Sequence, residues 1–446
     1  MSVSSKTRVK YRHAKRGITA ISVRGYKSLM EEARIEIRPL TILAGANSSG
    51  KSSAIQPLLL LKQTLEATYD PGPLLIDGPN LRFTSGNQLL SMSKGRRVGG
   101  TFMVEVEIDG RSSVRNTYRK HVRRGFDLIE MAYNGTNEQF VLTPEMGHQQ
   151  VLSIIPKELE KSRQIASERE KRSLLWKVMR TRCFLGFGFE PESRVVEEAH
   201  YSVYTPGVLF NQYIRGLIHV PGLRGNPART YRATAVGRYF SGTFETYVAS
   251  VINYWQSNED RRLKALGDAL EELGLTWKVA ARQLDDVQVE LRVGRLSHGA
   301  RGGAMDLMNI ADVGFGVSQT LPVLVALLSA QPGQLVYLEE PEIHLHPRAQ
   351  HAMAKILIEA AKRGVRVVAE THSSLMLRSI QTHVAMKKEL KGLVKLHWFA
   401  RDADGFTKVS SANLDDKGSF GNWPSDFDDV NLEADKRYLD INSTNN

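Results

Sequence analysis

Four groups of residues in this chain have the types and spacing that handle a phosphate chain. The first is Gly45-Ala46-Asn47-Ser48-Ser49-Gly50-Lys51-Ser52, with Ser53 following. The spacing G-x-x-x-x-G-K-S suits a loop whose backbone N–H groups point inward at phosphate oxygens, backed by a helix N-terminus. Lys51 supplies a mobile positive charge for the β- and γ-phosphates, and Ser52 a hydroxyl for Mg²⁺. The second group is Glu339-Glu340-Pro341-Glu342. Glu339 is placed to hold Mg²⁺ directly or through water. Glu340 is placed to orient and deprotonate an attacking water, and Glu342, beyond Pro341, is less well aimed. The third is His372, after Val367-Val368-Ala369-Glu370-Thr371, at a distance from the Glu pair that suits contact with a γ-phosphate or the attacking water. The fourth is Gly314-Phe315-Gly316-Val317-Ser318, a glycine–serine helix start that makes another anion site. The expected ligand is a nucleoside triphosphate with Mg²⁺.

Strands and helices must carry these groups. Residues 40–44 read as a strand feeding the first loop, and 55–65 as the helix behind it, with a kink expected at Pro57. Residues 334–338 read as a buried strand ending in the carboxylates, and 365–369 as the strand before His372. Helices are expected over 318–329, 348–363 and 375–381, and short strands over 393–399 and 407–410. Further strands are expected over 18–23, 35–37, 101–108, 126–132 and 139–142, an antiparallel group in the first third. From Pro156 the pattern turns helical, with a long charged helix expected over 158–183 and others over 236–256 and 259–273, before strand returns at 277–296. The expected organisation is an N-terminal part at 1–155, a mostly helical insertion with return strands at 156–300, a C-terminal part at 301–390 and a small tail domain at 391–446.

The chain has 446 residues, 41% apolar and 24% charged, ordinary for a soluble globular protein. Its one cysteine, Cys183, excludes an internal disulfide framework and Cys-cluster metal sites, suits a cytoplasmic location, and reads as a buried apolar side chain. Residues 1–16 are basic without a following apolar segment, and the longest apolar run, 321–330, is too short for a membrane span, so neither secretion nor a membrane is expected. The formal net charge of +12 favours acidic partners and makes nucleic acid a candidate. The densest basic stretch, Arg111, Arg115, Arg119, Lys120, Arg123 and Arg124 around Tyr118, reads either as a solvated hairpin or as a nucleic-acid contact. A second basic cluster, Arg224, Arg229 and Arg232 after Val220-Pro221-Gly222, lies beside a strand end.

In this order, phosphate loop, glycine–serine helix start, acidic strand end and post-strand histidine resemble an ABC-type ATPase head of the SMC-like and OLD-like branch. The resemblance implies an α/β fold: a mixed sheet, an antiparallel β subdomain and a mostly helical insertion. It implies an ATPase binding ATP and Mg²⁺, with Gly316 and Ser318 contacting the nucleotide of a neighbouring subunit and His372 as the switch histidine. Glu340 and His372 become the catalytic pair, and Ser52 and Glu339 the metal-facing pair. Glu339 stands where the family pattern has Asp, the helix start lacks the usual pair of adjacent glycines, and Gln88 and Gln63 are the candidates for the Mg²⁺-sensing glutamine. Residues 309–350, 398–405 and Gly421-Asn422-Trp423-Pro424 look like stand-alone prokaryotic ATPases with a small C-terminal domain, and the stretch around Arg224 resembles theirs, near the nucleotide or a subunit interface. Fewer than about a hundred residues follow His372, less than a typical domain, and Asp426, Asp428 and Asp429 there read as a solvated tail. The implied partners are a second copy, as a dimer or higher even-numbered oligomer, and a separate effector. A Septu-like anti-phage ATPase with an HNH or Toprim nuclease or a toxin fits, while a DNA-repair ATPase and a nucleotide-gated scaffold remain the alternatives.

Overall fold

The computed structural model describes residues 16–93, 96–122, 125–192, 201–294, 306–421 and 436. Arg123, Arg124, Asn422, Trp423, Pro424, Asp426, Asp428 and Asp429 lie outside the described residues. The chain is α/β, and one six-stranded sheet organises it. Its strands in chain order are β1 (Leu40–Gly45), β2 (Ile218–Val220), β3 (Leu335–Glu339), β4 (Arg366–Thr371), β5 (Val394–Arg401) and β6 (Thr407–Asn413). Across the sheet they run β2-β3-β4-β1-β5-β6, parallel except for the antiparallel edge strand β6. Near-continuous apolar runs, such as Leu335 to Leu338 and Val367 to Ala369, are what a parallel sheet covered on both faces requires.

Helix α1 (Lys51–Glu66) lies on one face. It shares a hydrophobic core with Leu43, Tyr337 and Val368 of the sheet and with Val23, Val104 and Val106 of a second, antiparallel sheet. That sheet runs Ala33–Glu36, Ile18–Arg24, Thr101–Ile108, Ser112–Lys120, Phe126–Asn134 and Gln139–Leu142 in spatial order. On the other face Ile42, Leu338 and Ala369 pack against helices α2 (Phe315–Ser329), α3 (Pro347–Lys362) and α4 (Ser374–Met386), together with Val248–Ser257. Helix α1 continues through Pro57 and α2 through Pro322. Among the described residues no helix is long and apolar enough to cross a membrane. Cys183 is fully buried, and burial pushes its thiol up to about 12.

Three expectations need correction. The helix expected over 158–183 ends at Glu170, and Leu174–Thr181 pairs as a strand with Phe184–Pro191. Leu174, Trp176 and Val178 are buried while Lys177 between them is exposed, a period of two that the surrounding Lys, Arg and Glu disguise as a charged helix. The strands within residues 156–300 do not all stay in the insertion: one of them, β2, joins the main sheet beside β3. Nor do β5 and β6 stand apart as a tail, since β5 pairs with β1 along Val394 to Phe399, every residue of which is buried. In the basic stretch, Tyr118 is a core residue stacked on Phe102, and Arg115 is tied to Glu105 and Glu32. This is a sheet surface, without an exposed aromatic platform at Tyr118.

Candidate functional site

Parallel order brings the C-terminal ends of β1, β3 and β4 to one edge, and the loops leaving them meet there. After β1 the chain must turn sharply to start α1. Gly45 and Gly50 make that turn at φ 143° and 103°, a backbone that side chains rarely adopt. Neither position has room for a Cβ, which would stand 2.2 Å from the Phe399 carbonyl oxygen and 2.3 Å from Thr407 Oγ1 respectively. Residues of β5 and β6 brace the loop: Arg401 Nε donates to the Ser48 carbonyl (2.7 Å), and Thr407 Oγ1 to that of Ser49 (2.7 Å).

Lys51 is buried and curls over its own loop. Its Nζ donates to the Gly45 and Ala46 carbonyls, both at 3.1 Å, and lies 2.9 Å from His372 Nε2. His372 Nε2 in turn lies 3.1 Å from Glu340 Oε1. Lys51, His372 and Glu340 therefore form one chain of contacts across three strand ends. Burial lowers the Lys51 ammonium, and burial followed by the Lys51 charge lowers the His372 imidazole. Burial, then the neighbouring Glu342, raises the Glu340 carboxyl. Glu340 also has a left-handed backbone (φ 44°), held by its N–H donating to the Glu370 carbonyl at 3.1 Å. Such conformations in non-glycine residues cluster at functional sites.

The other acids divide in a way that one sequence position alone does not reveal. Glu342 is buried; its Oε1 accepts from Thr371 Oγ1 and from the His372 N–H (3.3 Å), so it fixes the backbone that carries the histidine. Glu339 turns toward β2: Oε1 is 3.0 Å from His219 Nε2, and Oε2 accepts from the Gly222 N–H at 3.0 Å. Burial opposes its ionisation, but the His219 contact holds its carboxyl below the usual range. Glu370 faces the phosphate loop instead. Its Oε2 accepts from Ser52 Oγ at 2.8 Å and its Oε1 from the Tyr337 hydroxyl. Burial, then nearby Glu339, pushes its carboxyl up to about 7. A serine hydroxyl beside carboxylates is the hard-oxygen set that Mg²⁺ takes together with water and phosphate oxygens.

These groups line one open cleft of ≈480 Å³ that includes Ser48 to Ser53, Glu339, Glu340, Glu370 and His372, with Lys27 and Arg401 at its rim. Gly316 and Ser318 are not among its lining residues. Ser318 Oγ donates to the Phe315 carbonyl (3.1 Å) and faces a different cleft, which also includes Arg224 and Pro322. Phe315 beside it is 53% exposed. A larger cleft of ≈690 Å³, which includes Arg16, Arg238 and Trp255, adjoins Gln331 and Gln334 before β3 begins, at the other end of that strand. Gln88 accepts from Thr84 and Ser85 in its own turn, and Gln63 clamps residues 75–81, so neither candidate glutamine reaches the phosphate loop.

Arg224 is buried, and burial brings its guanidinium down to about 10. It donates to the carbonyls of Gln319 (3.0 Å), Glu339 (2.8 Å) and Glu340 (3.2 Å), tying the start of α2 to the acidic strand end. Gln319 Nε2 returns the contact at 3.3 Å to the Arg224 carbonyl. Glu370, His219, Arg401 and Thr407 are absent from the sequence reading of the site. Only Glu370 had a visible signal there, as a carboxylate closing an apolar strand two residues before His372.

Residues 223–378 match the family model described as "AAA domain, putative AbiEii toxin, Type IV TA system". Residues 223–378 are thus similar to an AAA domain. The matched segment holds α2, the acidic strand end and His372, and the phosphate loop joins it through the β4–β1 pairing. This agrees with the ABC-type ATPase resemblance read from the motifs. A comparison with curated proteins gives no match. Among solved structures, the chain is similar to an Smc head bound to the C-winged helix domain of ScpA, with a TM-score of 0.49 and 12% identity over 90% of this chain and 98% of that one. An SMC head domain from Thermotoga maritima gives 0.40 and 11% over 88% and 98%. An Smc head with an extended coiled coil, bound to the C-terminal domain of ScpA derived from Pyrococcus furiosus, gives 0.42 and 11% over 89% and 96%.

Proposed function

We propose that this protein binds and hydrolyses ATP with Mg²⁺ and acts as a switch between two copies of itself. The observation that carries the reading is the contact chain Lys51–His372–Glu340 at the mouth of the glycine loop. Gly45 to Ser53 cradle the phosphates, and on binding Lys51 exchanges its loop carbonyls for phosphate oxygens. Mg²⁺, when bound, would supply positive charge to offset what develops on the phosphates. Ser52 and a strand-end carboxylate would hold it. Glu340 is the general base for the attacking water, and a raised carboxyl pKa brings a base closer to neutral working pH. His372 orients the water or the γ-phosphate and Glu342 positions His372. Gly316 and Ser318 act on the nucleotide of the other copy, a reading supported by their lying outside the chain's own cleft, beside the exposed Gly314 and Phe315. ATP closes the pair, and hydrolysis reopens it.

At a finer level, the protein is the sensor or regulatory subunit of a prokaryotic anti-phage complex that controls a separate nuclease or toxin. The support is the motif resemblance together with the toxin–antitoxin wording of the family description. Purification from the native operon at low salt with ATP and Mg²⁺ tests it. A stoichiometric nuclease or toxin that co-elutes is the expected result, and nucleic acid alone, or nothing, contradicts it.

A further inference from the structure

We infer that the carboxylate governing Mg²⁺ at this site is Glu370 on β4, and that Glu339 on β3 is a positioning residue for the neighbouring strand end. The inference rests on the proposed ATP site and deepens it. Position is the first argument. Glu339 and Glu370 are paired neighbours in register, so both side chains leave the same sheet face, the one on which α1 packs. But β4 is the strand beside β1, and β3 is one strand farther out. Adjacent strands lie about 4.8 Å apart, so β3 stands that much farther from Ser52 in the first turn of α1.

Occupancy of the carboxylate oxygens is the second argument. Both oxygens of Glu339 are engaged on the β2 side, by His219 Nε2 and the Gly222 N–H. His219 is itself fixed by stacking on Tyr337 and by Asn80 Nδ2 at 3.1 Å from its Nδ1. Glu339 thus closes the β2–β3 end as a buried polar staple. Both oxygens of Glu370 are engaged as well, Oε1 by the Tyr337 hydroxyl and Oε2 by the Ser52 hydroxyl at 2.8 Å, but one of its partners is the loop serine itself. That bond leaves the lone pairs of Ser52 Oγ available to a cation, the role the loop hydroxyl is expected to play.

Charge is the third. Glu370 is only 3% exposed, and Glu339, Glu340 and Glu342 lie close by. Among the described residues the cation reaching this group from the phosphate loop is Lys51, which ATP phosphates draw away. Buried carboxylates grouped in this way need a compensating cation, and a divalent ion held by Ser52 and Glu370 provides it.

The test is a Mg²⁺ titration of a fluorescent, non-hydrolysable ATP analogue on the full chain, comparing the natural protein with Glu370→Gln and Glu339→Gln. Binding of the analogue in EDTA serves as the check that each variant is folded with an intact loop. Loss of a group that orients a metal ligand costs 10–100-fold in metal affinity. Glu370→Gln should therefore raise the half-saturating Mg²⁺ concentration by about that factor while still binding the analogue in EDTA. Glu339→Gln should shift it less than about threefold, well below that range. An equal or larger shift in Glu339→Gln overturns the inference while the ATP site stands. Failure of the natural protein to bind the analogue with or without Mg²⁺ removes the ATP reading and the inference with it. Glu370→Asp separates charge from shape, because it keeps the charge on a shorter arm and should fall between the natural protein and Glu370→Gln.

Discussion

At the scale of single residues, the site is a contact chain in which each charge is held by the next. Lys51 leans on His372, His372 on Glu340, and Glu342 holds the backbone under His372. Lys51→Ala removes the charge that meets the phosphates and should abolish ATP binding, measured by calorimetry at low salt. Glu340→Gln keeps size and most contacts while deleting the proposed base. It should retain binding and lose turnover by about 10²–10⁴-fold, the usual worth of a positioned base; unchanged turnover removes Glu340 from that role. The glycine loop, the Glu pair and His372 were legible in the sequence because each is a local pattern, set by bonds a few residues long. The division of labour between Glu339 and Glu370 was not. It depends on which strand lies beside β1, which is β4 and which no local pattern shows.

At the scale of elements, Arg224 joins two of the site's parts. It spans from the Gln319 carbonyl on α2 to the Glu339 and Glu340 carbonyls on β3 and its loop. It is a direct link between the backbone at Glu340 and the helix that carries Ser318. Arg224→Ala leaves buried carbonyls without donors, at about 1–3 kcal/mol for each one left unsatisfied. The expected outcome is a lower unfolding midpoint together with reduced turnover; an unchanged midpoint and unchanged turnover would end the clamp. Sequence showed this arginine beside a strand end but not its partners, which lie about a hundred residues away in the chain. The strands β5 and β6 carry the same lesson. Their residues look like a tail, yet Arg401 and Thr407 brace the phosphate loop, because β5 is the other neighbour of β1. The strand at Leu174–Thr181 was hidden for a different reason: it follows a charged helix with only a short break, and the alternation of buried Leu174, Trp176 and Val178 distinguishes it.

At the scale of the whole molecule, the main sheet sits between two hydrophobic cores, and α1 belongs to one of them. One buried group makes that assembly sensitive to acid. His397 on β5 is fully buried, its Nε2 donating to the Glu36 carbonyl (2.9 Å) and its Nδ1 2.7 Å from Ser411 Oγ. Burial brings its pKa down to about 4, and the flanking groups are Lys395, Glu36 and Arg38. A histidine held neutral in the fold binds its proton first in the unfolded chain. Its share of stability is therefore complete above the unfolded pKa of about 6.5, falls as pH drops, and levels off near 4, a change of about 3 kcal/mol. Urea midpoints at pH 7 and pH 4.5 should show this loss, and His397→Gln should reduce it.

The exposed start of α2, with Phe315 and Ser318 away from the chain's own cleft, sets the central claim that two copies complete each other's sites. It is tested most directly by the mass of Glu340→Gln in solution, by light scattering with ATP and Mg²⁺. The account predicts a doubled mass that appears with nucleotide and is lost when Ser318→Arg or Lys51→Ala is added. A protein that binds ATP yet keeps one mass with and without it, and is indifferent to Ser318→Arg, would contradict the account.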